Sequence, residues 1–189
     1  SKFKIENINY TKLENYMIKN LNDFKIDGDN LIIHSGITHV KKPLILPKNF
    51  NLKILAGATI IFDKGAYIEI VGGNIEAVGT KEQKIYFKSL TESQDWNGIL
   101  VSESKNRSIF DNVVFQNLNY FQSFNTHLTG AINFYKSDVS FLNTEFINSI
   151  AEDFLNITNS KFIIKDSKFI KFFSGFSYIL YYFSCFLIN

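Results

Sequence analysis

The second half of the chain repeats itself at an interval of about 23 residues. A shift by this interval superposes apolar residues on apolar ones and polar bend residues on polar ones. The superposed pairs are Ile132 with Leu155, Asn133 with Asn156, Phe134 with Ile157, Ser137 with Ser160, Val139 with Phe162, Phe141 with Ile164, Asn143 with Asp166 and Phe146 with Phe169. Eight coincidences at one offset indicate a structural unit that recurs along the chain.

An earlier copy of the unit lies about 31 residues upstream, a longer interval than the repeat itself. Its residues Phe110, Asn112, Phe115 and Asn117 correspond to Phe141, Asn143, Phe146 and Asn148. The excess over the repeat indicates that this copy carries an insertion. We place the insertion in residues 118–129, which lack the alternation of apolar and polar residues seen on either side.

From Leu31 onward, short runs of alternating apolar and polar residues are separated by Gly, Asn, Asp and Ser. The runs are rich in β-branched and aromatic residues, which predicts β-strands. No helical pattern of useful length separates them, and this excludes a doubly wound α/β sheet, which needs crossover helices. A repeat of this length with three strands and three bends predicts one turn of a solenoid, in which each strand pairs in parallel with its counterpart one turn later.

Asn112, Asn143 and Asp166 occupy the same bend position in successive units. Stacked amide side chains can hydrogen-bond along the axis and satisfy backbone groups that a bend leaves unpaired. We therefore expect a ladder of side chains at this bend. Asp166 departs from the ladder, because a carboxylate cannot donate, and suggests that the regular stack ends nearby.

Residues 1–30 have a helical rather than a strand pattern. The apolar residues at helical spacing are Tyr10, Leu13, Met17, Leu21 and Phe24. Thr11 and Glu14 match a capping box, so we expect a short amphipathic helix over residues 11–22. This divides the chain into an N-terminal cap (1–30), a solenoid (31–171) and an apolar C-terminal tail (172–189).

The tail has no charged residue over the 17 positions 172–188, and 13 of these are apolar. A helix of this length would measure about 26 Å, at the short edge of what spans a bilayer. Lysines precede it, which would leave the solenoid in the cytoplasm, so membrane contact through 172–188 is an alternative that we do not favour. The others are a last turn with its cap, or an incomplete and aggregation-prone end.

The composition excludes several classes of function. The net charge is +2, and Arg107 is the only arginine among 20 basic residues, so we expect no nucleic-acid partner. The single cysteine, Cys185, cannot form an internal disulfide or a zinc knuckle. The three histidines lie far from it, and His34 and His39, five residues apart, do not lie on one strand face. We therefore expect neither a metal nor a cofactor.

Several segments resemble right-handed parallel β-helix proteins of the pectate-lyase-like superfold. They are residues 46–62 (LPKNFNLKILAGATIIF), 72–80 (GGNIEAVGT), 84–87 (KIYF) and 96–99 (WNGI). Residues 151–157 (AEDFLNI) are, more weakly, similar to β-helix regions beside spore-coat-type protein kinase domains in bacteria. The resemblance spans residues 31–171 and implies an extracellular or cell-envelope location. It specifies fold rather than activity, because the superfold hosts lyases, hydrolases, adhesins and non-catalytic modules.

The residues that catalysis would need are scarce. A polysaccharide lyase of this fold needs acidic residues on neighbouring turns together with a basic residue, and Arg107 lies in a polar bend. A hydrolase needs two carboxylates about 5–10 Å apart. Under the repeat, Asp138 falls on Lys161 and Asp153 falls on Gly130, so the acids do not align. We expect a non-catalytic module that is glycan-binding or structural at a bacterial surface, with a polysaccharide lyase or glycoside hydrolase fragment as the alternative.

Two groups of residues are candidates for binding polysaccharide. Asp95 and Trp96 place a carboxylate beside an indole, a combination that can bind sugar by hydrogen bonding and stacking. The insertion carries further aromatic rings, at Tyr120, Phe121, Phe124 and His127. These rings form either the lip of a binding groove or a cover that folds back onto the apolar coil.

Overall fold

The computed structural model of the protein describes residues 24–92, 95–173, 176–183 and 186–188. Within these residues the chain is all-β, with twenty strands and no helix. The predicted helix over residues 11–22 lies outside the described residues. In the described part of the chain, we find no helical segment with the length and hydrophobicity that crossing a membrane requires.

The strands are short and follow one another closely along the chain. The first ten are β1 (Lys25–Asp27), β2 (Asn30–Ile33), β3 (Gly36–Val40), β4 (Leu44–Ile45), β5 (Asn51–Ile54), β6 (Ala58–Phe62), β7 (Ile68–Val71), β8 (Ile75–Val78), β9 (Ile85–Ser89) and β10 (Ile99–Ser102). The others are β11 (Ser108–Asp111), β12 (Val113–Leu118), β13 (Gly130–Tyr135), β14 (Val139–Leu142), β15 (Glu145–Ser149), β16 (Asp153–Thr158), β17 (Phe162–Lys165), β18 (Ser167–Phe173), β19 (Phe176–Phe183) and β20 (Phe186–Ile188).

From β2 to β18 the chain visits three sheets in a fixed order, and each strand pairs in parallel with the strand three positions later. We call the sheets A (β1-β2-β5-β8-β11-β14-β17-β20), B (β3-β6-β9-β12-β15-β18-β19) and C (β4-β7-β10-β13-β16). This order is consistent with a β-solenoid. The predicted repeat is confirmed by the register, since Ile132 pairs with Leu155 and Phe146 with Phe169. The longer interval across the insertion is confirmed likewise, since Phe110 pairs with Phe141.

A column of phenylalanine rings fills the interior beside sheet B. Phe87, Phe115, Phe146 and Phe169 are paired in register on successive strands. Their ring centroids are 4.8, 5.3 and 4.5 Å apart from one pair to the next. A second column on sheet A pairs Phe110 with Phe141, at 5.0 Å between centroids. Parallel in-register pairing therefore places each inward ring directly over its equivalent one turn earlier.

The bends between sheets use the left-handed backbone region, where asparagine is tolerated better than most residues. At the bend from sheet A to sheet B, φ is 52° at Asn112, 47° at Asn143 and 49° at Asp166. The expected ladder takes a different form here: the Nδ2 groups of Asn112 and Asn143 both donate to Oδ1 of Asp111, at 3.0 and 2.8 Å. The preceding aspartate is a stronger acceptor than a neighbouring amide, because it is charged.

A direct amide ladder lies on sheet B instead. Nδ2 of Asn148 donates to Oδ1 of Asn117 at 3.0 Å, and Nδ2 of Asn117 donates to Oγ of Ser89 at 3.0 Å. Both asparagines have φ of 56°. Asparagines that hydrogen-bond along the axis are thus present, but at a bend five residues after the predicted one in each unit.

The tail folds back on the last turn as strands. β19 pairs antiparallel with β18, and β20 pairs antiparallel with β17. These two strands cover the ends of sheets A and B, whereas sheet C ends at β16. β18 crosses the boundary that we set between residues 171 and 172, so the backbone has no break there.

We expect Phe115→Ala to lower the free energy of unfolding by about 3–5 kcal/mol, because it removes a ring packed between Phe87 and Phe146. Phe115→Leu, which keeps most of the volume, should cost less than about 2 kcal/mol. Urea denaturation of the two variants measures both values. A loss below about 1 kcal/mol for the alanine variant would mean that the ring column is not central to stability.

Candidate functional site

Leu118 is the last residue of β12, and the rest of the predicted insertion, residues 119–129, contains a small hairpin rather than an irregular loop. The N–H of Phe121 donates to the carbonyl of Gly130 at 3.0 Å, and the N–H of Leu128 donates to the carbonyl of Phe121 at 2.9 Å. Gln122 and His127 form an antiparallel bridge. We call residues 121–128 the hairpin. It is tied to the solenoid by Nδ2 of Asn97, which donates to the carbonyl of Gln122 at 3.1 Å.

The four predicted residues of the insertion are placed differently from one another. Phe121 is 0% exposed, and its ring meets that of Tyr67 edge to face at 5.2 Å. Tyr120 is half-buried against the core, and its ring lies 4.6 Å from that of His127. Phe124 is 98% exposed at the tip. Phe121 therefore anchors the hairpin, while Phe124 projects from it.

Trp96 is fully buried in the core. Its ring stacks on that of Phe62 with centroids 4.1 Å apart, and its Nε1 donates to the carbonyl of Gln116 at 2.9 Å. The indole thus fills the interior and presents no face to a ligand. Its neighbour Asp95 remains partly exposed, and burial raises the pKa of this carboxyl while nearby Lys64 opposes the rise. The structure does not bring Asp95 and the Trp96 ring together as one site.

A groove lies between the hairpin and the outer face of sheet C. It encloses about 240 Å³ and is lined by Leu100, Ser102, Thr126, Leu128, Asn133, Phe134, Tyr135, Asn156 and Thr158. The sheet contributes two columns of residues in register, Leu100-Asn133-Asn156 and Ser102-Tyr135-Thr158. The hairpin contributes Thr126 and Leu128. All nine lining residues, each in the described part of the chain, are uncharged.

Asn133 lies in this groove with only 2% of its surface exposed. Its Nδ2 donates to the carbonyls of Ile99 at 3.2 Å and Gly130 at 2.9 Å. Its Oδ1 is buried and has no hydrogen-bond partner among the described residues. Such an oxygen is unusual, because buried polar atoms in proteins are almost always paired.

Tyr135 gives the groove an aromatic side chain. The residue is 40% exposed, and Nζ of Lys136 lies 5.1 Å from the centre of its ring. The chain continues into a bend at Lys136, where φ is 49°. A half-exposed tyrosine ring beside amides and hydroxyls can bind a ligand that has both an apolar face and polar edges.

Sequence reasoning missed Asn133, Tyr135 and Asn156 as candidates. The available signal was the repeat itself, which superposes Asn133 on Asn156 between apolar residues of consecutive strands. This alternation places both amides on the outer face of sheet C. The hairpin ends two residues before Gly130, and its residues Thr126 and Leu128 line the groove together with this part of the sheet.

A second cavity, of about 670 Å³, lies on sheet B. It is lined by Lys88, Ser89, Leu90, Thr91, Glu92, Gln116, Asn117, Ile147 and Asn148. The side chains of Ser89, Asn117 and Asn148 bond to one another in the amide ladder. Because the polar groups of this wall stabilise the bend, we consider the groove on sheet C the better candidate site.

The residues considered for catalysis hold neighbouring turns together. Nη2 of Arg107 contacts Oδ2 of Asp138 at 3.1 Å, and Nη1 donates to the carbonyl of Val139 at 3.0 Å. Oδ1 of Asp138 accepts from the N–H of Lys161 at 2.8 Å. The register also pairs Asp153 with Gly130, as the repeat predicted. In the described part of the chain, no group of three or more metal-ligating side chains lies together.

The three parallel sheets are compatible with the β-helix that the sequence resembles. No protein-family model, curated protein or solved structure matches the chain. The candidate site is therefore defined by the geometry and chemistry of the groove alone.

We expect Phe121→Ala to lower the free energy of unfolding by about 3 kcal/mol, because this ring is buried against Tyr67. Phe124→Ala, at the tip of the same hairpin, should change it by less than about 0.5 kcal/mol. Thermal and urea denaturation compare the two. Equal effects of the two substitutions would contradict the assignment of Phe121 as the anchor.

The carboxyl of Glu69 should make the stability of the protein depend on pH. Glu69 lies on β7 and pairs in register with Leu100 on β10, in the first column of sheet C. Burial raises the pKa of this carboxyl above its ordinary value of 4.5. The folded protein therefore binds the proton more tightly, and stability falls as the pH rises from 4.5 through the folded pKa. Glu69→Gln should raise the free energy of unfolding at pH 7.5, by less than about 1 kcal/mol because solvent screens the group.

This gain should disappear at pH 4, where the carboxyl of the natural protein is protonated. Glu76→Gln is the matched control, because Glu76 lies 3.7 Å from Lys53 and should gain nothing at pH 7.5. Urea denaturation at pH 4 and pH 7.5 measures the free energy of unfolding of both variants and of the natural protein. If Glu69→Gln lowers stability at pH 7.5, the carboxylate makes a favourable contact and the prediction is wrong.

Proposed function

We propose that the chain is a non-catalytic module with a right-handed parallel β-helix fold that binds glycan in the groove on sheet C. The handedness comes from the resemblance to pectate-lyase-like proteins. The strand order supports the coil, since each strand pairs with the one three positions later. A location at a bacterial surface stays a prediction from the same resemblance.

The combination of Tyr135 with an uncharged polar lining carries the proposal. Sugar rings have an apolar C–H face that stacks on aromatic rings and hydroxyl edges that hydrogen-bond to amides and hydroxyls. The groove offers a half-exposed tyrosine, the amide of half-buried Asn156, and the hydroxyls of Thr126 and Thr158. Apolar contact and neutral hydrogen bonding are thus available side by side.

The dimensions of the groove favour one unit of a longer chain. At about 240 Å³ it is smaller than the roughly 300–1,000 Å³ of pockets that enclose a drug-sized ligand. A polysaccharide can place one ring in the groove and continue along the outside of the sheet. The exposed ring of Phe124 at the hairpin tip offers a second surface for such a chain, in keeping with the predicted lip.

The ion pairs between different turns support a binding rather than a catalytic role. Arg107 pairs with Asp138, and Nζ of Lys84 donates to Oε1 of Glu145 at 2.8 Å. This hydrogen bond raises the pKa of Lys84 and keeps its ammonium charged. An acid or base committed to such a pair is poorly placed to exchange protons with a substrate.

Retention on a panel of immobilised polysaccharides, followed by titration calorimetry with soluble oligosaccharides, tests the proposal. Tyr135→Ala should weaken binding about tenfold, which corresponds to about 1.4 kcal/mol of lost stacking. Tyr86→Ala is the matched control, because Tyr86 is 36% exposed on sheet B, away from the groove. Both variants should keep the melting temperature of the natural protein within a few degrees.

Three outcomes would count against the proposal. Release of reducing sugar or of unsaturated uronate would support the lyase or hydrolase alternative. Absence of retention on every polysaccharide would leave a structural role. Equal loss of binding in the Tyr135 and Tyr86 variants would place the binding surface outside the groove.

A further inference from the structure

Sheet C ends one turn earlier than the other two sheets. Sheets A and B continue through β17 and β18 to the antiparallel strands β20 and β19, whereas the last strand of sheet C is β16. Among the described strands, none pairs with the outer edge of β16. The end of the coil is therefore recessed at this edge.

The interior columns of sheet C are incompletely buried at the same place. Ile132 and Phe134 on β13 are 0% and 1% exposed. Their in-register partners on β16, Leu155 and Ile157, are only half-buried. At the other end of the sheet, Leu44 of β4 is 0% exposed. A further strand on β16 would therefore bury apolar surface that the coil itself leaves in contact with solvent.

The backbone of β16 is oriented to receive such a strand. Alternate residues of a strand within a parallel sheet bond to opposite neighbours. The N–H of Lys136 donates to the carbonyl of Thr158 at 3.0 Å, so Thr158 belongs to the set that faces β13. By the same alternation, Leu155 and Ile157 direct their N–H and C=O groups to the open edge. An extended segment can bond to these groups by strand addition.

The opposite edge of sheet C is less suited to pairing. The N–H of Leu44 donates to the next turn of the sheet at 2.8 Å, so the alternate positions, which include Pro43 and Pro47, face the outer edge of β4. Proline has no N–H to donate, and it is a residue that protects strand edges from pairing. Strand addition is therefore favoured at β16 over β4.

A segment outside the described residues has the sequence of a sheet C strand. Residues 8–11 read INYT, which matches INFY at residues 132–135 on β13 and LNIT at residues 155–158 on β16. In all three, an asparagine lies between two apolar residues. Residues 8–11, which we call the donor segment, therefore have the alternation of inward and outward positions that sheet C requires.

Pairing of the donor segment with β16 continues the columns of the sheet. In register, Asn9 lies over Asn156 on the outer face, and the apolar residues on either side of Asn9 cover Leu155 and Ile157. The two amides can then hydrogen-bond along the axis. The amide ladder of sheet B is an example of the same contact in this protein.

We propose that the donor segment of one copy of the chain adds to sheet C of a second copy, parallel to β16 and in register with residues 155–158. The segment precedes β1, which pairs with β2 on the first turn, whereas β16 lies at the far end of the coil. End-to-end contact of two coils brings these two ends together. The inference does not depend on the glycan binding proposed above.

The resulting interface is heterologous, because each copy has both a donor segment and an acceptor edge. A copy that receives a strand at its last turn still has its own donor segment at the first. Association of this kind forms open-ended rows of copies rather than a closed dimer.

Disulfide trapping in the full chain locates the donor segment. In-register neighbours on parallel strands lie about 4.8 Å apart, a separation that a disulfide spans. With Cys185→Ser as background, the pair Asn9→Cys and Asn156→Cys should oxidise to a series of covalent dimers, trimers and larger species on a non-reducing gel. Asn9→Cys with Asn125→Cys, at the exposed hairpin tip, is the matched control and should stay monomeric.

Four results of the trapping experiment would overturn the proposal. An internal disulfide between positions 9 and 156, seen as a monomer of altered mobility, would place the segment on its own coil. Cross-linking of Asn9→Cys with Ile45→Cys instead would place it on the edge of β4. Equal series from positions 125 and 156 would show non-specific collision. The absence of any cross-link would show that the segment does not reach β16.

Asn9→Pro and Asn9→Ala test the backbone pairing. In the proposed register the N–H of residue 9 donates to the carbonyl of Leu155, and proline removes this donor whereas alanine keeps it. Sedimentation of the full chain at rising concentration should show association that Asn9→Pro weakens at least about tenfold and Asn9→Ala less than about threefold. Melting temperatures of dilute, monomeric samples should agree. A natural chain that stays monomeric, or equal losses in the two variants, would refute strand addition.

Discussion

Parallel, in-register stacking of one turn on the next is the constraint from which the other features of this protein follow. It places Phe115 over Phe87 and under Phe146, so each turn covers the apolar side chains of its neighbours. It also requires three changes of direction within each short unit. Residues with left-handed backbone conformation and a polar side chain meet that requirement, which explains the asparagines at the bends.

The same stacking determines what the charged residues do. Arg107, Asp138 and Lys161 lie on consecutive turns, and their contacts run along the axis rather than into a cleft. Among the described residues, Oδ1 of Asn133 is a buried side-chain oxygen that has no hydrogen-bond partner. Whether a polar side chain belongs to the scaffold or to a binding site therefore depends more on whether its hydrogen bonds are already made within the coil than on its residue type.

The repeat was sufficient to predict the registers of sheets A, B and C in the second half of the chain, because a periodic sequence on a periodic backbone has one consistent alignment. It also located the insertion. It could not tell whether Phe121 points inward, since that depends on Tyr67, which lies more than two turns away in sequence. The burial of Trp96 also depends on a residue distant in sequence, because its ring stacks on that of Phe62.

Other outcomes depended on chemistry that periodicity does not describe. The amides of Asn112 and Asn143 donate to Asp111 because a carboxylate outcompetes a neighbouring amide, and the pattern alone did not distinguish these acceptors. The direction of β19 was also unpredictable. It begins one full repeat after β16 begins, so the periodicity would have continued sheet C, yet the strand runs antiparallel on β18.

The hairpin leaves and rejoins the coil at one bend, between Leu118 and Gly130, without altering the pairing of the strands on either side. Insertions, deletions and substitutions in the hairpin can therefore accumulate in evolution with little effect on the stability of the coil. Selection on recognition and selection on folding would then act on separate stretches of the gene, and relatives with the same coil could diverge in the molecules they recognise.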